Sequence, residues 1–76
     1  MREPFNEIQA AQIESVCTRF HNQLERLCYR IVIRYTGQVM YKDFHNYQEY
    51  QQHHDTLMRA IHDGATLPNV FRPIET

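Results

Sequence analysis

The chain has 76 residues, a formal net charge of -1 and a pI near 6.5. A domain of that length buries only about 60% of the surface its unfolded chain exposes, so self-association is expected to supplement its core. The near-neutral balance excludes a generally basic nucleic-acid binder, whose pI usually exceeds about 9, and confines any polyanion binding to a local patch.

No apolar run approaches the roughly 18 residues of a membrane span, and the start MREPFNEIQA lacks the apolar core of a secretory signal, so a soluble, cytoplasmic protein is expected. Cys17 and Cys28 lie 11 residues apart. On one helix that spacing corresponds to roughly 16 Å, too far for a disulfide, and neither cysteine has a second Cys or His at zinc spacing. Both are expected as reduced thiols.

From Pro4 to Gly37, the apolar positions Ala10, Ile13, Cys17, Phe20, Leu24, Leu27 and Ile31 alternate in steps of three and four. Such a stripe marks one helix face, close to a coiled-coil seam. Asn6 with Gln9 forms a capping-box pattern, Phe5 can staple onto Ala10, and Gly37 supplies a left-handed stop. The spacing predicts a first helix from about Glu7 to about Tyr35. A competing strand signal lies at Tyr29, Ile31, Ile33 and Tyr35, where β-branched and aromatic residues alternate. The helical repeat continues through it, and the next candidate strand, QVMY, is short; the helix reading is preferred.

After a loop at residues 36–38, the positions Met40, Phe44, Tyr47, Gln51, His54, Met58 and Ile61 repeat the three-four steps until Gly64. Asp43 suits the positive end of a helix dipole. The tail ATLPNVFRPIET carries two prolines and is expected to lie extended across the hairpin or a neighbouring subunit. The expected fold is therefore all-α, a single domain over residues 1–76. It is an antiparallel helical hairpin with helices at about 7–35 and 39–63 and an extended tail at 65–76, completed by self-association into a helical bundle. Val32, Ile33, Tyr41, Tyr50 and Leu57 fall beside the main stripes and are expected to form the apolar interface.

Residues 17–35 hold Arg19, Arg26, Arg30 and Arg34 against Glu25, a local balance of +3, whereas residues 36–64 hold Lys42 and Arg59 against Asp43, Glu49, Asp55 and Asp63, a balance of -2. The arginines recur at spacings that line one helix edge. The bland explanation is a solvated face answered by the acidic segment. The sharper one is a phosphate or carboxylate site, in which guanidinium groups bind bidentately and stack on Tyr29 or Tyr35.

His45, Glu49 and His53 fall at helical spacing, but the outer pair is about 12 Å apart along a helix axis, so no metal site is expected. His54, beside the seam, is expected to soften the interface below about pH 6.5. No phosphate loop, nucleophile elbow or zinc-protease motif occurs, and no enzyme activity or cofactor is expected. The preferred reading is a small non-enzymatic regulator or inhibitor that docks on a larger protein through Tyr- and Arg-rich helical faces. The alternative is an oligomeric binder of a nucleotide or nucleic-acid phosphate through Arg19, Arg26, Arg30 and Arg34 with Tyr29 and Tyr35.

Overall fold

In the computed structural model, which describes residues 6–23 and 26–74, residues 29–35 are strand and the all-α hairpin is overturned. Pro4, Phe5, Leu24 and Glu25, used above for the helix start, the staple, the stripe and the charge balance, lie outside the described residues.

Two local features override the helical repeat. Five of the seven residues from Tyr29 to Tyr35 are aromatic or β-branched, side chains that suit a pleated surface and are stiff in a helix. Immediately afterwards Thr36 and Gly37 both have positive φ, 48° and 81°. That pair of conformations is the two-residue turn whose twist matches antiparallel strands, so Gly37 closes a β-hairpin instead of ending a helix. The segment containing QVMY is then the partner strand.

The strands are β1 (Glu7–Gln9), β2 (Ile13–Gln23), β3 (Arg26–Tyr35), β4 (Gln38–Phe44), β5 (Thr66–Pro68) and β6 (Arg72–Pro73), with one helix, α1 (Tyr47–Asp63), between β4 and β5. β2, β3, β4 and β6 form an antiparallel sheet in that spatial order, and β1 pairs with β5 in a small second sheet. A 3-10 turn at Ala10–Gln12 links the two.

The second helix exists, but it starts eight residues later than expected, since residues 39–44 belong to β4. Asn46 caps it, its side-chain oxygen accepting from the backbone N–H groups of Gln48 at 2.8 Å and Glu49 at 3.2 Å. Gly64, in the left-handed conformation at φ 69°, ends it as the sequence indicates. The tail is extended, and it packs on its own chain: residues 66–68 pair with β1, and Arg72 and Pro73 pair with Tyr41 and Met40.

Register assigns the faces. Tyr29, Ile31 and Ile33 lie opposite Phe44, Lys42 and Met40 on β4, and opposite Phe20, Thr18 and Val16 on β2. Directly opposed residues share a face, so this is the side that α1 covers. Ile8, Ile31, Ile33, Tyr35, Met40, Phe44, Leu57 and Phe71 make one buried cluster there, with Ile13, Val16, Tyr29, Tyr50, Ile61 and Leu67 packed around it.

The proposed apolar interface is thereby redistributed. Ile33 and Leu57 are fully inside the chain's own core, and Tyr50 is half-buried beside them. Val32 and Tyr41, opposite each other in the register, lie half-buried on the other face. One subunit absorbs most of the apolar surplus that had called for a helical bundle.

Candidate functional site: an arginine-lined sheet face

Alternation along β3 sends Arg26, Cys28, Arg30, Val32 and Arg34 to the face opposite the core. On β2, Arg19 lies directly across from Arg30 and His21 across from Cys28. On β4, Asp43 opposes Arg30 and Tyr41 opposes Val32; beyond it, Arg72 of β6 opposes Tyr41. Five of the chain's seven arginines therefore stand on one sheet face, which α1 leaves uncovered. The four arginines singled out in the sequence do share a surface, but it is built by strand alternation and pairing; helical spacing plays no part. Arg72 was not among them, because its pairing with Tyr41 depends on a two-residue strand in the tail.

Tyr29 and Tyr35, expected to stack on these arginines, point the other way. Tyr35 is only 4% exposed, and its hydroxyl accepts the Gln9 backbone N–H at 3.0 Å. Tyr29 stacks on Tyr50, with ring centroids 5.3 Å apart, and meets Phe20 and Tyr47 edge-on. The aromatic partner of the arginines is instead Tyr41, whose ring lies 4.3 Å from the Arg30 guanidinium carbon.

Around Arg30 the face is ordered. Its Nε and terminal nitrogen donate to the two carboxylate oxygens of Asp43, at 2.6 and 3.0 Å, a bidentate pair that holds the guanidinium flat beside Tyr41. The Arg30 hydrogen bond keeps the Asp43 carboxyl below its ordinary range and raises the guanidinium. Arg34 pairs more loosely with Glu14, at 3.3 Å, where both side chains are about half exposed. Arg19, Arg26 and Arg72 are exposed. Beside the pair, Arg30, Tyr41, Arg72, Pro73 and Ile74 line an open depression of about 510 Å³.

Cys28, His21 and Asp43 share this face, a combination that elsewhere activates a thiol. Here burial, and then the Asp43 charge, push the Cys28 thiol above its ordinary value, which keeps it protonated and inert. Cys17 is exposed, and both cysteines are free.

Among the described residues, no three His, Cys, Asp or Glu side chains come together in a way that could hold a metal ion. The constrained histidine is His53 rather than His54. Its Nδ1 is buried without a hydrogen-bond partner, its ring lies 5.2 Å from Phe44 and 6.0 Å from Phe71, and burial, followed by the Lys42 charge, lowers its pKa. His54 packs against Tyr50. No helix among the described residues is long and apolar enough to cross a membrane. The chain matches no family model, no curated protein and no solved structure.

Proposed function

We propose that the protein binds the phosphate backbone of a nucleic acid through its open sheet face. The observation that carries this reading is the gathering of Arg19, Arg26, Arg30, Arg34 and Arg72 on one face of a sheet in a chain of net charge -1. Asp43 and Glu14 answer two of the five, and the excess of three positive charges (five less two) on one side of a near-neutral molecule orients and attracts a polyanion locally.

Dimensions agree. Arg26, Arg30 and Arg34 recur every four residues along β3, about 13 Å apart at the rise of a strand, and span roughly 26 Å in all. The phosphates of one duplex strand advance about 3.4 Å per step along the axis, so the row covers roughly eight steps. Arg19 and Arg72 widen it across neighbouring strands. With Tyr41 the one tyrosine on this face, contacts are to phosphate and sugar, since base-stacking platforms need several exposed rings. The bidentate Arg30–Asp43 pair fixes the centre of the face, while the exposed Arg19, Arg26 and Arg72 are available to the ligand. Free Cys17 and Cys28 suit a reducing compartment, and the cytoplasm is the proposed setting.

Fluorescence anisotropy with a labelled 20-base-pair duplex tests the reading, comparing the parent with an Arg19→Ala, Arg26→Ala, Arg72→Ala triple variant. The reading requires at least a tenfold loss of affinity at unchanged thermal stability. Equal affinity in a folded triple variant refutes it.

A second reading, a regulator docking on a larger protein, draws support from a different place. Phe20 is 59% exposed, Tyr47 52% and Leu27 45%, an aromatic-rich patch of the kind found in interface cores. Binding through that patch is insensitive to salt, which separates it from the first reading.

A further inference from the structure

The two edges of the four-stranded sheet are unlike. One edge is β6, two residues long and containing Pro73, the short and proline-bearing form by which proteins keep a sheet from pairing further. The other is β2, 11 residues with neither proline nor lysine, whose outer side meets no strand among the described residues. It carries two charges, Glu14 and Arg19, of opposite sign. Its one irregularity lies between Ile13 and Ser15; from Ser15 to Gln23 its pairing with β3 is regular. An edge of that length presents a row of backbone N–H and C=O groups, a template for another strand.

We infer that β2 pairs antiparallel with β2 of a second copy, joining two four-stranded sheets into one of eight strands. Strand alternation restricts the register. Opposed residues must share a face, so a two-fold axis in the regular part of the strand passes midway between a residue and the same residue of the other copy, and is named by that residue. An axis at Arg19 sets two like charges directly opposite each other, which disfavours it. An axis at Cys17 carries Phe20 to the irregular stretch at Glu14, whose side chain pairs with Arg34 on the other face, and so leaves Phe20 uncovered. An axis at Thr18 sets Phe20 against Val16 twice over, covering the most exposed large apolar side chain on the strand, at 59%, with a half-buried one. Of these three central registers Thr18 is the assigned one; it alone overlaps all 11 residues of β2 with the other copy, and it brings Cys17 opposite Arg19.

The axis runs perpendicular to the sheet, so like faces stay together: both helices lie on one side and both arginine rows on the other. The joined sheet presents ten arginines on a continuous face. Pairing of the edges rests on the strand itself and does not depend on what the arginines bind.

The test is charge reversal at Cys17, which is exposed. Sedimentation velocity on the parent between about 5 and 200 µM is expected to show a monomer–dimer equilibrium. Cys17→Lys places a second cation against Arg19 of the other copy and is expected to weaken the dimer at least tenfold, while Cys17→Glu places an anion there and strengthens it. In a Cys17→Ser background, Thr18→Cys is expected to cross-link the two copies on mild oxidation, since directly opposed strand residues lie within disulfide reach at about 4.5–5.5 Å between Cα atoms. A parent that stays monomeric across that range, charge variants that shift the equilibrium in the same direction, or parent Cys17 that cross-links faster than the Thr18→Cys variant overturns the pairing. Duplex binding by a monomeric parent leaves the arginine reading standing and removes only this one.

Discussion

The two faces of β3 are made from the same ten residues and do opposite things. Tyr29, Ile31, Ile33 and Tyr35 run under α1 into the core, whereas Arg26, Arg30, Val32 and Arg34 look outward beside Asp43 and Tyr41. On the packed face, position is set by apolar burial. On the open face it is set by charge: a cation–π contact and a bidentate ion pair order the middle of an arginine field. The difference separates folding from recognition within one strand, so substitutions one residue apart should report on different properties.

Adjacent positions give the largest contrast. Ile31, fully buried, is expected to cost about 2–5 kcal/mol on replacement by alanine, through lost burial and the cavity left behind. Its neighbour Val32, half-buried on the open face, should cost only about 1 kcal/mol as Val32→Ala. Urea denaturation of both variants checks this, and similar costs erase the distinction between the faces.

Asp43→Asn comes next. It leaves Arg30 with a weaker acceptor and removes a carboxylate that hydrogen-bonds the Cys28 thiol, for a loss of about 1 kcal/mol at neutral pH. Because the Asp43 pKa is depressed on folding, that stabilisation is present above the ordinary value of 3.8 and disappears as pH falls through the lower folded value.

The packed face carries its own pH dependence through His53. Burial and Lys42 lower its pKa, so the unfolded chain holds a proton more readily than the folded one. Stability should decline as pH drops below about 6.5 until the folded pKa is reached, and His53→Phe, which sits between Phe44 and Phe71, should flatten that decline in a pH series of thermal melts.

Smallest of all is the expected effect of Arg26→Ala on folding, within about 0.5 kcal/mol, because the side chain is exposed. A loss above 1 kcal/mol makes this arginine a structural residue and takes it out of the proposed ligand face.

How far the sequence foretold this division depends on the segment. Gly64 as a left-handed stop was legible, but the seam read for the helix before it was only partly right: Tyr47, Gln51 and Met58 are exposed, and the face that packs on the sheet runs through Tyr50, His53, Leu57 and Ala60, with Ile61 at its edge. The extended tail followed from its prolines. The first half misled because Ala10, Ile13, Cys17, Phe20, Leu24, Leu27 and Ile31 mimic a seam, although in the sheet Cys17 and Phe20 stand on opposite faces. The period-two pattern of residues 29–35 was the true signal, and Thr36–Gly37 was the turn that made it decisive: reading Gly37 as a helix stop located the right residue and assigned it the wrong job. The arginine set survived the change of fold because even spacing along β3 and direct pairing with β2 gather the same residues that a helix edge would. Tyr29 and Tyr35 did not survive, being odd-numbered on a strand whose arginines are even. Arg72 was invisible without the β4–β6 pairing.

The open face as a phosphate-binding surface is tested most directly by the salt dependence of duplex affinity. With three to five arginines each neutralising a phosphate, the logarithm of the binding constant should fall against the logarithm of salt concentration with a slope of about -3 to -4.5 between 50 and 200 mM. A slope near zero, or no measurable duplex binding at 50 mM salt, contradicts the account.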